Sequence, residues 1–125
     1  MIGRLHHTIV DCLDPGVEAE FWSAVLGLPI TYRSEDFVVV AESDHASGLS
    51  FQYASDHRPP TWPDPAVGQQ VHLDVMVEDL DAAEGAVLAL GAHRLQGENV
   101  FADPAGHPFC LALRPRWAAP ISSDP

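Results

Sequence analysis

Two stretches of the chain repeat one order of apolar and polar positions. They are "LHHTIVDCLDPGVEAEFWSAVLGLP" (residues 5–29) and "VHLDVMVEDLDAAEGAVLALGA" (residues 71–92). In each, a histidine (His7, His72) opens an apolar run, an aspartate (Asp14, Asp79) follows, and helix formers then lead to a glycine (Gly27, Gly91). Alternation with a period of two predicts a strand, and the following spacing predicts an amphipathic helix. Asp14 suits an N-cap, with Pro15 at the first helical position, where a missing N–H is harmless. Val17, Phe21, Ala24 and Leu28 then form the expected apolar stripe, and Gly27 the stop. In the second copy Asp79 caps, and Leu80, Ala83, Val87 and Leu90 form the stripe. Each stripe covers one face only, so each helix is expected to lie on its own unit's sheet.

Three short strand-like runs follow each helix. The first set is "PITYR", "DFVVVAE" and "GLSFQYA"; the second is "AHRLQ", "NVFAD" and "PFCLAL". Each half therefore reads β-α-β-β-β, a tandem duplication and an α+β fold. The expected layout is a single domain over 1–125: module 1 at about 4–54, a linker at 55–70, module 2 at about 71–114 and a tail at 115–125. The linker, rich in proline and polar groups, reads as ordered but irregular. The tail reads as a surface strap or frayed end. Trp62 and Trp117 are expected to anchor these two segments by packing, with ligand stacking as the other role open to them.

Strand parity sorts the side chains. Thr8, Val10 and Cys12 should face the first helix, leaving His7, Ile9 and Asp11 opposite. Val71, Leu73, Val75 and Val77 should share one face, with His72, Asp74 and Met76 on the other. In the last strand of each module Leu49, Phe51 and Tyr53, and Phe109, Leu111 and Leu113, should pack. Ser50, Gln52 and Ala54, and Cys110, Ala112 and Arg114, should face away. A face of small and mixed residues leaves room for a guest. His6 points by parity towards the helix side, and His45, His57 and His93 read as surface residues. His107, with Asp103, Pro104 and Gly106, reads as turn chemistry. Asp11 and Asp74, beside the histidines, could fix an imidazole tautomer, act as a general base, or form a hydrogen-bonded cavity wall.

Composition narrows the partners. Eighteen acidic against six basic side chains give a formal net charge of −12. That argues against nucleic acid and anionic membranes, which attract basic surfaces. No apolar run approaches the roughly 20 residues needed to span a bilayer. The opening "MIGRLHH" lacks a secretory h-region, and two cysteines make no disulfide framework, so a cytoplasmic location is expected.

The paired β-α-β-β-β units, the histidine opening each, and "DPAGHPFCL" before the final strand resemble the vicinal oxygen chelate superfamily. That superfamily holds glyoxalase I, bleomycin- and fosfomycin-resistance proteins and extradiol dioxygenases; the resemblance is nearest its glyoxalase-like branch and covers about residues 4–114. It implies that the two modules form a curved, open mixed β-barrel with the helices outside, enclosing one hollow. It also implies one divalent metal (zinc, iron, nickel or manganese) held at positions that fall on His7, Gln52, His72 and Cys110. His7 and His72 match the pattern. Gln52 is a weaker neutral donor, and Cys110 stands where glutamate is usual. A two-histidine, one-cysteine set could hold zinc; alternatively Cys110 is a small apolar residue lining a cavity.

The expected cavity residues are His7, Ile9, Asp11, Gln52, His72, Asp74, Cys110 and Ala112, with Asp74 as the catalytic candidate and, like Gln52, a further candidate ligand. Two functions follow from the resemblance. One is a metal-dependent lyase, isomerase or dioxygenase acting on a small oxygen-rich molecule. The other is a metal-free binding or sequestering protein of the resistance type, whose negative charge suits a cationic ligand. A homodimer is expected for either.

Overall fold

The computed structural model describes residues 1–122, and the chain divides into two compact units, Met1–His57 and Arg58 onward. The first unit runs β1 (His7–Cys12), α1 (Pro15–Leu26), β2 (Ile30–Arg33), β3 (Phe37–Val40) and β4 (Gly48–Tyr53). The second runs β5 (Leu73–Val77), α2 (Leu80–Ala89), β6 (His93–Arg94), β7 (Val100–Ala102) and β8 (Pro108–Leu113). Each unit is thus a β-α-β-β-β module and the fold is α+β.

The first sheet has the order β1-β4-β3-β2 and the second β5-β8-β7-β6. In each, the opening strand lies parallel to the last one, β1 on β4 and β5 on β8, while the remaining pairs are antiparallel. The long connection that such a parallel pair requires consists of the helix and the two strands that follow it.

Both helix starts follow from local chemistry. Asp14 and Asp79 are extended N-caps whose side chains accept from Val17 N–H (3.2 Å) and Ala82 N–H (3.0 Å). Gly27 ends α1 at φ 65°, a left-handed conformation that glycine adopts without Cβ strain.

The buried face of α1 differs from the expected stripe. Pro15, Glu18, Ala19, Phe21 and Trp22 are buried, whereas Val17 and Ala24 are exposed and Leu28 is half-buried. The helix is turned so that its largest apolar surfaces, Phe21 and Trp22, both go inward against β3 and β4. Their rings meet edge to face at 5.3 Å. A rotation keeping Val17 inside would have left indole surface in water, and aromatic burial dominates such a choice. In α2 only Val87 is fully buried; Leu80 and Ala83 are half-buried, and Leu90 is exposed.

The cores match strand parity in most places. Val10, Cys12, Val38, Val40 and Phe51 are buried in unit 1; Val75, Val87, Phe101, Phe109 and Leu111 are buried in unit 2. Three expected packing residues are exposed instead. Thr8 lies near the start of β1, while Tyr53 and Leu113 are the last residues of β4 and β8. Helical cover does not extend over the ends of a sheet, so parity alone overstates burial there.

The irregular segment before β5 is held by side-chain bonds. The Thr61 hydroxyl donates to Asp64 O (2.8 Å) and accepts from Val67 N–H (2.9 Å). Trp62 anchors it as expected, but through a hydrogen bond from its indole N–H to Gln96 O at 2.8 Å. Trp117 does not anchor the tail, being 82% exposed. Polar contacts do so: Arg114 Nε donates to Glu78 Oε1 (2.5 Å), which also accepts from Ile121 N–H (2.8 Å). The last residues of the expected tail, 123–125, lie outside the described residues.

Asp103, Gly106 and His107 form the expected turn. The Asp103 carboxylate accepts from Ala105 N–H (3.0 Å) and His107 N–H (2.9 Å), and Gly106 has φ 89°. His45 and His93 are exposed, as expected; His57 is half-buried.

Candidate functional site

The sheet faces turned away from the helices carry the polar residues. In unit 1, His7, Ile9 and Asp11 of β1 stand in register with Gly48, Ser50 and Gln52 of β4, and Ser50 and Gln52 pair onward with Val39 and Phe37 of β3. A hollow of about 480 Å³ opens on this face, lined by His6, His7, Ile9, Tyr32, Phe37 and Val39. Its volume falls in the usual range for small-molecule sites.

His7 is fixed by the ladder beside it. Its Nδ1 accepts the main-chain N–H of Gly48 at 3.1 Å, so the neutral ring carries its proton on Nε2. Burial and the neighbouring His6 both push the His7 pKa down, which keeps the ring neutral. His6 departs from expectation: it precedes β1, so strand parity does not govern it, and its ring lies 4.0 Å from that of His7 on the same hollow. Gln52 is paired with Asp11, four positions along β1 from His7, and does not line the hollow.

In unit 2 the structure gathers three donors. His72, Asp74 and Cys110 place one ligating atom each within 4.8 Å of one another. Register explains this: Asp74 and Cys110 are direct partners on the parallel β5–β8 ladder, and His72 precedes Asp74 by one pleat on the same face. His72 Nε2 lies 3.2 Å from Asp74 Oδ1, and its Nδ1 is 3.1 Å from Gln69 Oε1. The ring therefore meets an oxygen acceptor at each nitrogen, which a second proton or a cation at Nε2 would satisfy. The Trp62 ring stands 6.4 Å from that of His72. Burial, with the Asp74 carboxylate adding to it, pushes the Cys110 thiol above its ordinary pKa. Ala112 and Met76 continue this face as register partners, both exposed.

The donor set suits a borderline metal. One imidazole, one carboxylate and one thiolate make three protein ligands, the number that leaves a catalytic zinc site one open position. The carboxylate that the four family-implied positions lack is supplied by Asp74, one strand over from Cys110. Sequence reasoning assigned Asp74 to this face and named it a further candidate ligand, but did not pair it with Cys110. It passed over Gln69, Tyr32 and Phe37. Parity applied to β3 would have put Phe37 and Val39 opposite the buried Val38 and Val40; nothing in the pattern signals Gln69.

Two mixed sheets built by a duplicated β-α-β-β-β module, each opened by a histidine on its uncovered face, define a protein of the vicinal oxygen chelate class. The profile described as "Glyoxalase-like domain" matches residues 7–112, and the chain belongs to that family. Among solved structures, an oxidase, ChaP-H2, is 27% identical with a TM-score of 0.61, over 92% of this chain and 96% of its own. A glyoxalase-related enzyme from Fulvimarina pelagi is 17% identical with a TM-score of 0.66, over 98% and 95%. The bleomycin-binding protein of Streptomyces verticillus, in complex with copper(II)-bleomycin, is 17% identical with a TM-score of 0.52, over 92% and 100%. No curated protein sequence matches the chain. Among the described residues no helix is long and apolar enough to cross a membrane.

Proposed function

We propose that the chain is a metal-dependent enzyme acting on a small oxygen-bearing molecule, with His72, Asp74 and Cys110 as the metal ligands. The observation that carries this reading is the convergence of those three donors within 4.8 Å, with Gln69 holding the far nitrogen of His72. A divalent ion such as zinc would act there as a Lewis acid on a substrate oxygen. Gln69 orients the His72 ring so that Nε2 faces Asp74 and Cys110, and Trp62 walls one side of that ring. His7 is assigned to substrate rather than to metal, because Nδ1 is engaged by Gly48 and Nε2 carries the proton. The reaction fits the lyase, isomerase or dioxygenase types of the family, and the 27% identical oxidase favours the last. The working form is taken to be a cytoplasmic homodimer. A chain with only two cysteines suits a reducing compartment, and exposed Ile9, Met76 and Leu113 offer apolar contact surface.

A second reading, metal-free binding of a small molecule, is favoured by one observation: the raised pKa keeps Cys110 a thiol, a poor ligand. In that case Asp74 on His72 is a hydrogen-bonded pair on a binding face, and the charge of −12 favours cationic ligands. Cobalt(II) substitution separates the two. The enzyme reading expects one bound equivalent and a thiolate-to-cobalt charge-transfer band that disappears in Cys110→Ser. Protein that takes up no zinc or cobalt, or a spectrum indifferent to Cys110, rejects the metal.

A further inference from the structure

We infer that the hollow of the first unit is a recognition site for a flat, uncharged aromatic ring bearing a carbonyl-type oxygen. The inference rests on the small-molecule reading of this face but not on the metal.

The chemistry of the walls limits the guest. Tyr32 and Phe37, with centroids 6.4 Å apart and planes inclined at 60°, provide aromatic surface on one side. His6 and His7, with ring centroids 4.0 Å apart and planes inclined at 35°, provide it on another, and the remaining lining is Ile9 and Val39. Aromatic faces and edges reward a planar π-system over an equally large saturated one, by about 0.5–1.5 kcal/mol per pair, or roughly two- to tenfold in affinity. No carboxylate, ammonium or guanidinium lines the hollow, so a charged guest would leave water without a counter-charge.

One donor is fixed in direction. Because Gly48 N–H occupies Nδ1, the neutral His7 ring offers Nε2–H, while the Tyr32 hydroxyl and the His6 ring on the same lining can each donate or accept. The fixed donor favours an acceptor oxygen on the guest. The register adds a second observation. Ser50 sits between Ile9 and Val39 on this face, completely buried, and its hydroxyl has no hydrogen-bond partner among the described residues. A buried, unpaired hydroxyl is destabilising unless something satisfies it; Ser50 lies behind the lining of the hollow, so the guest oxygen is assigned to His7 Nε2–H.

Coumarin tests the inference: it is planar, neutral and carries one carbonyl. Naphthalene keeps the planarity without the oxygen, and 2-decalone keeps a bicycle and a carbonyl without the planarity. Amide NMR of the full chain reads both affinity and location. The expected result is saturable coumarin binding that shifts the amides of Ile9, Val39 and Gly48. Naphthalene should bind several-fold more weakly, and 2-decalone should bind weakest. Phe37→Leu should weaken coumarin roughly tenfold, and Tyr32→Leu, at a residue 56% exposed, should do so without disturbing the fold. Absent or non-saturating coumarin binding, equal binding of 2-decalone, or shifts confined to residues beyond His57 would overturn it. The cobalt band at Cys110, read on the same sample, reports the metal separately, so either reading can fail alone.

Discussion

Asp74 and Cys110 face each other directly across the parallel β5–β8 ladder. This pairing sets an anionic carboxylate beside a half-buried thiol, and together with burial it holds the thiol protonated. Thiolate, not thiol, is the species that alkylates. Asp74→Asn removes the charge and keeps the shape, so iodoacetamide should label Cys110 several-fold faster at pH 8. Bound zinc should reverse this in the natural protein by protecting the sulfur outright. An unchanged labelling rate in the variant would show that burial alone sets the thiol's pKa.

The bond from Gly48 N–H to His7 Nδ1 exists only while the imidazole is neutral, and the His7 pKa is lowered. A histidine whose pKa is lower folded than unfolded favours the folded state at high pH. The unfolded chain binds the proton first, so stability is full above the ordinary value of about 6.5 and is lost as pH falls from there through the lowered folded value. His7→Gln retains an acceptor without a titrating group. The difference in urea midpoint between pH 7.5 and pH 5 should therefore be smaller in His7→Gln than in the natural protein. His6→Asn should raise the His7 pKa in an NMR titration, since the His6 charge is the second cause of its depression.

Much of this was legible from residue order. Duplication, both N-caps, all eight strands and the faces of β1 and β5 follow from period and capping chemistry. What escaped has physical causes. The rotation of α1 was misjudged because Val17, Phe21, Ala24 and Leu28 fit helical spacing as well as Pro15, Glu18, Ala19 and Trp22 do. Only packing against β3 and β4 decides between such faces. Tyr53 and Leu113 were misplaced because parity knows nothing of where a helix stops covering a strand. The three donors were visible singly, His72 and Cys110 from resemblance and Asp74 as a further candidate, but the pairing of Asp74 with Cys110 depends on the β5–β8 register, which no local pattern encodes.

Gly106 and Gly27 both adopt positive φ, yet they should respond differently to alanine. A Cβ on Gly106 would lie 2.7 Å from Pro59 Cβ, whereas one on Gly27 meets nothing within 4 Å. Gly27→Ala should therefore cost about 1 kcal/mol, the left-handed penalty alone. Gly106→Ala adds a steric clash and should cost about 2–4 kcal/mol in urea unfolding. Equal losses would mean that the Pro59 segment yields freely.

The tail is held to unit 2 by one carboxylate serving two donors. Glu78 Oε1 accepts from Arg114 Nε and from Ile121 N–H, and the Arg114 bond is the larger cause of its lowered pKa. Arg114 also donates through Nη1 to Ala118 O at 2.8 Å, so the guanidinium spans the strap. A carboxyl whose pKa is lower folded than unfolded stabilises above its unfolded value, and that stabilisation is lost as pH falls through the folded one. The strap should accordingly loosen in acid, below the ordinary glutamate range. At neutral pH Glu78→Gln imitates that state: it keeps an oxygen for Ile121 but loses the charge for Arg114. The Arg116–Trp117 bond lies within the strap, with Trp117 already 82% exposed, so tryptic cleavage there reports the loosening. Cleavage should be several-fold faster in Glu78→Gln and faster still in Glu78→Ala, with the melting temperature of the domain nearly unchanged, as expected of an exposed ion pair. Identical cleavage in all three proteins would mean that the strap is held by something other than Glu78.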